Sequence, residues 1–316
     1  MAGWKFETAA VIGTGMMGPG IALTLALGGV NATILSRSRE TADAGLAKAV
    51  EQLQLLADNG LVSSTGAADL LSASADFDSA IRSADLVIES APENMAFKQE
   101  LFARMDAIAK PSAALASNTS GLSITAIASQ CLRPERVVTT HFWNPPHLMP
   151  LVEIVKGEKT EHSLALALKK LLTDCGKVAV VVKKDTPGQL GNRMQMALVR
   201  EAMHIVEEGI ADVEDVDAVA KNGFGLRMPA YGIFEHQDAV GLDMALSIVD
   251  YVAQDLCNDA KAPAIMRKLV AEGNLGAKTG KGFYDWSKKD ITAVKAKRDA
   301  FVLAVLGWGR SRPLER

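Results

Sequence analysis

Up to about residue 187 the apolar positions fall in short runs, rich in Val, Ile and Ala, with helix-length stretches between them. TAAVIGTG, NATILS, ADLVIES, AALASNTS, RVVTTHFW, LVEIV and KVAVVVK read as strands. Strands that alternate with helices imply a mostly parallel sheet, doubly wound, with helices on its faces. After KKDTPG the period changes. NRMQMALVREAMHIVEEG predicts one long helix capped by Gly209, and DMALSIVDYVAQDL and APAIMRKLVAEG predict two more. The pattern predicts an α/β domain over 1–187 and a mainly α-helical C-terminal domain over 188–316, divided near Pro187–Gly188. Met194, Met196, Leu198, Met203 and Val206 cover much of the long helix and predict burial in a core or a subunit interface. Ile291, Val294, Phe301, Val302 and Leu306 predict a final amphipathic helix lying against the body or a partner subunit.

Composition narrows the classes. A chain of 316 residues is long enough for two domains, and 48% hydrophobic residues supply a sizeable core. A net charge of −3 offers no electrostatic case for nucleic acid or an anionic membrane. No apolar run approaches the roughly 20 residues that span a bilayer, and MAGWKFETAAVIGTG enters a strand without a signal-peptide core. Cys131, Cys175 and Cys257 are far apart and match no zinc spacing, so no metal is expected and the thiols read as those of a reducing compartment. The expectation is a cytoplasmic protein.

Gly13-Thr14-Gly15-Met16-Met17-Gly18 places G-x-G-x-x-G directly after a strand and at the start of a helix. Gly13 permits the turn, Gly15 lets a pyrophosphate approach the backbone, and Gly18 lets helix and strand pack closely. The free N–H groups of the helix start then face the phosphates. This marks a Rossmann-type dinucleotide-binding domain. An acidic residue about 20 positions after the loop normally accepts the ribose 2′-hydroxyl of NAD. Here TILSRSRE puts Ser36 at that place, followed by Arg37 and Arg39. A hydroxyl beside a guanidinium suits a 2′-phosphate, so NADP(H) is expected as the preferred cofactor, with NAD(H) also usable. Ser38 is the expected N-cap of the next helix, with Glu40 in its first turn.

A second constellation lies in HFWNPPHLMPLVEIV. His141 ends a strand, Pro145 and Pro146 forbid a helix after it, and Glu153 stands alone in an apolar run. A buried carboxylate needs a partner. A turn back would bring Glu153 to His141, and a His–Glu pair is a usable general base.

These residues and the motifs GTGMMG, ADLVIESAPEN, ASNTSGLSI, HFWNP…LVEIV, KDTPG…NR, GLD and AKTGKGFYDW resemble the 3-hydroxyacyl-CoA dehydrogenase family from Ala9 to about Trp286. The resemblance implies a helical domain through which subunits form a homodimer, and an active site in the cleft between domains. It implies that His141 is the catalytic base, Glu153 its ionic partner, Ser120 a hydrogen-bond donor to the reacting oxygen, and Asn192 the residue that completes the site. It places Glu93, Lys98 and Asn118 on the cofactor side, with Lys278 a further candidate.

Two departures shape the substrate reading. Ser36 stands where NAD-using relatives carry an acid. Acyl-CoA-using relatives tend to have basic residues after the second strand, yet no Lys or Arg occurs between Lys48 and Arg82. Other branches of the same fold family act on free hydroxy acids such as gulonate, carnitine and a hydroxymethyl-pyridine carboxylate, and the HFWNPPHLMPLVEIV region is similar to the last. Arg227 is then a candidate carboxylate clamp, His147 and His236 are candidate substrate residues, and Tyr231 and Phe234 are expected in the core. The sequence therefore predicts an NADP(H)-preferring dehydrogenase or reductase of a small non-CoA hydroxy or oxo acid. The rivals are a short-chain 3-hydroxybutyryl-CoA dehydrogenase and a non-catalytic, crystallin-like cofactor-binding protein.

Overall fold

The computed structural model describes residues 3–63 and 65–311, the last three of these by their backbone alone. Ser64, in the segment without basic residues, and 312–316, at the end of the tail, lie outside the described residues. Contacts divide the chain into two compact units. One holds the residues up to Asn192 and those from Ala296 on, and the other is Arg193–Lys295.

The first unit is built on one eight-stranded sheet. Its strands are β1 (Thr8–Ile12), β2 (Asn31–Leu35), β3 (Leu71–Ser74), β4 (Leu86–Glu89), β5 (Ala114–Ser117), β6 (Val137–Phe142), β7 (Leu151–Lys156) and β8 (Val178–Val182). They lie in the order β3-β2-β1-β4-β5-β6-β7-β8. Every neighbouring pair is parallel except β6 and β7. The order reverses direction at β1, and the carboxyl ends of strands beside such a switch form a crevice for ligands. Helices α1 (Gly18–Leu27), α2 (Arg39–Asp58), α3 (Phe77–Ser83), α4 (Met95–Ile108), α5 (Ile124–Ile127) and α6 (His162–Asp174) connect the strands. Their apolar sides form two buried clusters with the sheet, one including Val11, Ile21, Leu25, Ile34 and Ile88, the other Ala10, Val87, Phe102, Met105 and Leu115.

β3 was not among the expected strands. Its sequence LSAS is short and largely polar, and it is held at the edge of the sheet by parallel pairing with β2 rather than by its own apolar pattern. Ser38 caps α2 as expected, its hydroxyl accepting from the Thr41 N–H at 3.3 Å.

The second unit is helical: most of α7 (Gly191–Glu207), then α8 (Val213–Asn222), α9 (Phe224–Arg227), α10 (Ile233–Val240), α11 (Leu242–Val252) and α12 (Ala264–Ala271). Gly209, with φ +67°, follows α7. The unit buries little: Met203 and Ala245 are its buried hydrophobic residues among those described. Met194, Met196 and Leu198 are about half exposed, so only part of the expected α7 stripe is covered within this chain. Phe234, expected in the core, is 84% exposed, and Tyr231 is half-buried. The last helix, α13 (Ile291–Ser311), carries the expected apolar positions unevenly: Val302 and Leu306 are partly buried, whereas Val294 and Phe301 are 40% and 53% exposed. Its end belongs to the first unit rather than to a helical domain running to the terminus, because Val302, Leu303 and Leu306 pack against the larger core cluster.

Candidate active site

The glycine loop fits a dinucleotide at each of its three glycines. Gly13 takes φ +112°, donates its N–H to Leu35 O, and has no room for a Cβ, which would lie 2.6 Å from Ser90 O. A Cβ at Gly18 would stand 1.8 Å from Gly13 O, so the loop can close on α1 only with glycine there. At Gly15 nothing lies within 4 Å of a built Cβ, which leaves open space where a pyrophosphate approaches the backbone. Met16 is exposed beside this space, while Met17 packs against the core. The arrangement fits a nicotinamide dinucleotide held by Gly13, Gly15 and Gly18.

At the end of β2, Ser36 and Thr41 join hydroxyls at 2.7 Å. Arg37 is exposed, with no hydrogen bond or ion pair among the described residues. Arg39 is engaged instead: its Nε lies 2.9 Å from both Oδ atoms of Asp43, one turn along α2. The two arginines are thus unequal, and Arg37 is the free cation.

Beneath the ends of β4 and β5 lies a buried polar network. Glu89 accepts from Lys98 Nζ at 2.6 Å, from Ala91 N at 2.5 Å and from Ser117 Oγ at 2.7 Å. Lys98 is wholly buried, and it also lies 3.6 Å from Glu93. It therefore holds the segment after β4 from within, through Glu89, Ala91 and Glu93, rather than presenting a charge to solvent. Glu93 Oε1 gathers Thr119 Oγ1 at 2.5 Å, Ser120 N at 3.1 Å and Gly121 N at 3.2 Å. Asn118 accepts from Phe142 N at 2.8 Å, tying the end of β5 to β6. These bonds fix the segment that carries Ser120, which is exposed.

His141 and Glu153 face each other in the antiparallel register of β6 and β7. His141 Nδ1 lies 2.8 Å from Glu153 Oε2, and both side chains are nearly dry. A carboxylate accepts, so the Nδ1 proton points at Glu153 and Nε2 is left for chemistry. Glu153 receives three further donors: Trp143 Nε1 at 3.1 Å, Leu190 N at 2.9 Å and Gly191 N at 2.8 Å. Burial pushes its carboxyl up, but the His141, Gly191, Trp143 and Leu190 donors outweigh it and hold the group at about 2. It is an anion throughout the neutral range. Asn192 donates to Ser120 O at 2.8 Å and so joins the start of α7 to the Ser120 segment. His141, Glu153, Ser120 and Asn192 are thereby linked within the first unit.

Sequence reasoning missed several supporting residues. Gln189 is 3% exposed, takes φ +55°, and donates Nε2 to Thr119 O at 2.7 Å. Its backbone turn aims the next two N–H groups at Glu153, a role that no local pattern signals. Asp185 accepts from Ser123 Oγ at 2.6 Å and Thr125 N at 2.9 Å. Lys177 donates to Pro146 O at 2.5 Å and Met149 O at 3.1 Å, holding the loop after β6, and burial pushes it down to about 8.

Gly191 sits where a Cβ would be 2.4 Å from Trp143 Cζ2. Gly191→Ala is expected to push Trp143 or the start of α7 away from Glu153. The cost is about 1–3 kcal/mol of overpacking. A lowered melting temperature together with a lowered kcat checks this; unchanged values in both would contradict it.

Of the remaining candidates, His147 belongs to the first unit, and Lys278, Arg227 and His236 belong to the second. His147 does not supply a cation: burial and then Lys177 push it down to about 4, and its Nδ1 is buried without a hydrogen-bond partner among the described residues. Its backbone lies against Gly20 of α1, close to Gln52. Lys278 lines a mostly apolar cavity of about 520 Å³ in the helical unit, together with Met203, Val206, Met266 and Trp286. Arg227 and His236 also lie in that unit, 2.9 Å apart. Among the described residues no group of three or more His, Cys, Asp or Glu could hold a metal ion, and no helix is long and apolar enough to cross a membrane.

Comparison with known proteins agrees with this geometry. Residues 8–186 match the NAD binding domain of 3-hydroxyacyl-CoA dehydrogenase, and residues 188–286 match its C-terminal domain. The chain is 35% identical over 300 residues to 5-formyl-3-hydroxy-2-methylpyridine 4-carboxylate 5-dehydrogenase of Mesorhizobium japonicum, covering 94% of this chain and 96% of that one. It is 40% identical over 283 residues to a probable 3-hydroxybutyryl-CoA dehydrogenase of Bacillus subtilis, covering 88% and 97%. Among solved structures, one of a 5-formyl-3-hydroxy-2-methylpyridine 4-carboxylic acid 5-dehydrogenase, described as an NAD+ dependent dismutase, superposes with a TM-score of 0.89 at 32% identity, covering 95% and 97%. The (S)-3-hydroxybutyryl-CoA dehydrogenase of Ralstonia eutropha superposes at 0.74, also with 32% identity, covering 89% and 99%. The glycine loop after β1, the buried His141–Glu153 pair and these matches over both domains lead to one conclusion: the chain belongs to the 3-hydroxyacyl-CoA dehydrogenase family and is an oxidoreductase of CH–OH groups.

Proposed function

We propose that the protein interconverts a small free hydroxy acid and its oxo or aldehyde form, without coenzyme A, using NADP(H) in preference to NAD(H). The catalytic part rests on one observation above all, the buried His141–Glu153 pair with its free Nε2. In oxidation, His141 Nε2 takes the hydroxyl proton of the substrate. In reduction, the imidazolium returns it. Glu153 keeps the ring oriented and stabilises its charged form, because it stays ionised under four donors. The Ser120 hydroxyl donates to the reacting oxygen, and Asn192 holds the Ser120 segment in register. A nicotinamide dinucleotide held at Gly13, Gly15 and Gly18 would supply hydride transfer to and from the carbinol carbon. The retained pair argues against a purely non-catalytic protein.

The free-acid reading is supported by the absence of Lys and Arg from 49 to 81 and by the likeness to a pyridine-carboxylate dehydrogenase over nearly the whole chain. The phosphates of coenzyme A would meet no cation in that segment. Turnover of a short acyl-CoA is the second reading, favoured by the 40% identity to the Bacillus subtilis protein. A homodimer is supported by α11, where Leu242, Met244, Leu246, Ile248 and Tyr251 are all more than half exposed, too much apolar surface for a helix left in water. The three unpaired cysteines support a cytoplasmic location.

The cofactor reading predicts a simple titration. NADPH is expected to bind about tenfold more tightly than NADH, a difference of about 1.4 kcal/mol. Arg37→Ala should remove that preference. Arg39→Ala should change it little, because Asp43 already holds that guanidinium. Equal or tighter binding of NADH to the wild type would favour NAD(H), the cofactor of the similar dismutase.

A further inference from the structure

Arg227 differs from several other arginines of the chain. Arg39, Arg104, Arg133, Arg136 and Arg298 each meet an aspartate. Arg227 has no carboxylate partner among the described residues; its NH2 lies 2.9 Å from His236 Nε2. The other ring nitrogen, Nδ1, lies 2.9 Å from the Tyr231 hydroxyl, with the two rings edge-on at 5.3 Å. A guanidinium can only donate, so Nε2 must accept, and the ring proton must sit on Nδ1 and point to Tyr231. His236 is thus a neutral acceptor that orients Arg227 without cancelling its charge. Four N–H donors of the guanidinium have no partner among the described residues.

The surroundings suit a ligand with an apolar body. Leu226, Met228, Ile233 and Phe234 flank the cluster and are exposed by 60%, 46%, 48% and 84%. A planar cation fixed by a neutral partner and set among exposed apolar side chains matches a flat acid, whose carboxylate takes the guanidinium bidentately while its ring covers apolar surface.

We propose that Arg227, oriented by His236 and through it by Tyr231, is a carboxylate-binding site on the helical unit for small acids with a flat apolar body. That this acid is the substrate itself rests on the free-acid reading above; the binding does not.

The test uses the full chain saturated with NADH, so that added rings do not enter the nicotinamide pocket. The probes are pyridine-4-carboxylate and its neutral amide, followed through the imidazole nitrogen signals of His236 by NMR. The expected result is a free protein with Nδ1 protonated, a saturable shift at Nε2 with the carboxylate, and binding of the amide at least about tenfold weaker. Arg227→Lys should weaken the carboxylate about tenfold, since an ammonium cannot bind it bidentately, and Arg227→Gln should abolish the effect. NADH affinity should be unchanged in both variants, which shows that they fold. Tyr231→Phe, the mildest change, should disturb the tautomer while NADH still binds. A proton found on Nε2, equal binding of acid and amide, or retained carboxylate affinity in Arg227→Gln would overturn the proposal. Turnover is not read, so acyl-CoA activity would overturn the free-acid reading alone.

Discussion

His141→Ala is expected to lower kcat by about 10²–10⁴-fold, the usual range for loss of a positioned acid–base group, while leaving cofactor affinity unchanged. The residue is 5% exposed on β6, one nitrogen is bound to Glu153, and only Nε2 is available for proton transfer. Its removal takes away the proton acceptor in oxidation and the donor in reduction. Among the described residues no hydrogen bond or ion pair joins its side chain to the glycine loop or to the Glu89–Lys98 network, so both are expected to stay in place. Initial rates of NAD(P)H formation or consumption, paired with a binding titration, check both halves. A variant retaining more than about a tenth of wild-type kcat would show that His141 is not the acid–base group.

Glu153→Gln is expected to damage both stability and rate. Four donors converge on the carboxylate, two on each oxygen. An amide offers one oxygen, and its NH2 would face two donors. Breaking a buried ionic arrangement in this way costs about 3–5 kcal/mol. For a chain of this size that corresponds to a fall of roughly 6–20 °C in melting temperature. The pH dependence has a definite sign. The folded-state value of Glu153, about 2, lies below its ordinary 4.5, so the anion stabilises the fold fully above that range. This contribution, on the order of 3 kcal/mol, is lost as pH falls from about 4.5 to about 2. Acid unfolding followed by circular dichroism should therefore show a drop across this window in the wild type that is absent from Glu153→Gln. Superimposable acid profiles would contradict the assigned role of Glu153.

Much of the first unit was legible because its strands are apolar runs with clear stops and its first turn carries three glycines with separate steric duties. Glu153 was legible because a single carboxylate in LVEIV demands a partner. β3 was not, since LSAS has no pattern of its own and depends on pairing with β2. The tie between Arg39 and Asp43 was readable in their i, i+4 spacing; the two arginines of SRSRE had been weighed for their charge alone. Gln189 could not have been found, because its contribution lies in a positive φ and a contact to Thr119, 70 positions away. His147 was a candidate substrate residue on its place in the loop, and only its burial, with Lys177 as a charged neighbour, accounts for its being pushed down to about 4. Phe234 was misplaced for a different reason. The helical unit has few buried residues of its own, so hydrophobicity there does not report the core of a single chain.

The most direct test of the account is a side-by-side rate measurement with purified protein, His141→Ala as the blank, and NADPH and NADH in parallel. The substrates are acetoacetyl-CoA and a panel of free oxo and aldehyde acids that includes pyridine carboxylates. The account predicts His141-dependent turnover of a free acid, faster with NADPH, and little or none of the thioester. Efficient His141-dependent reduction of acetoacetyl-CoA, with the free acids inert, would contradict it.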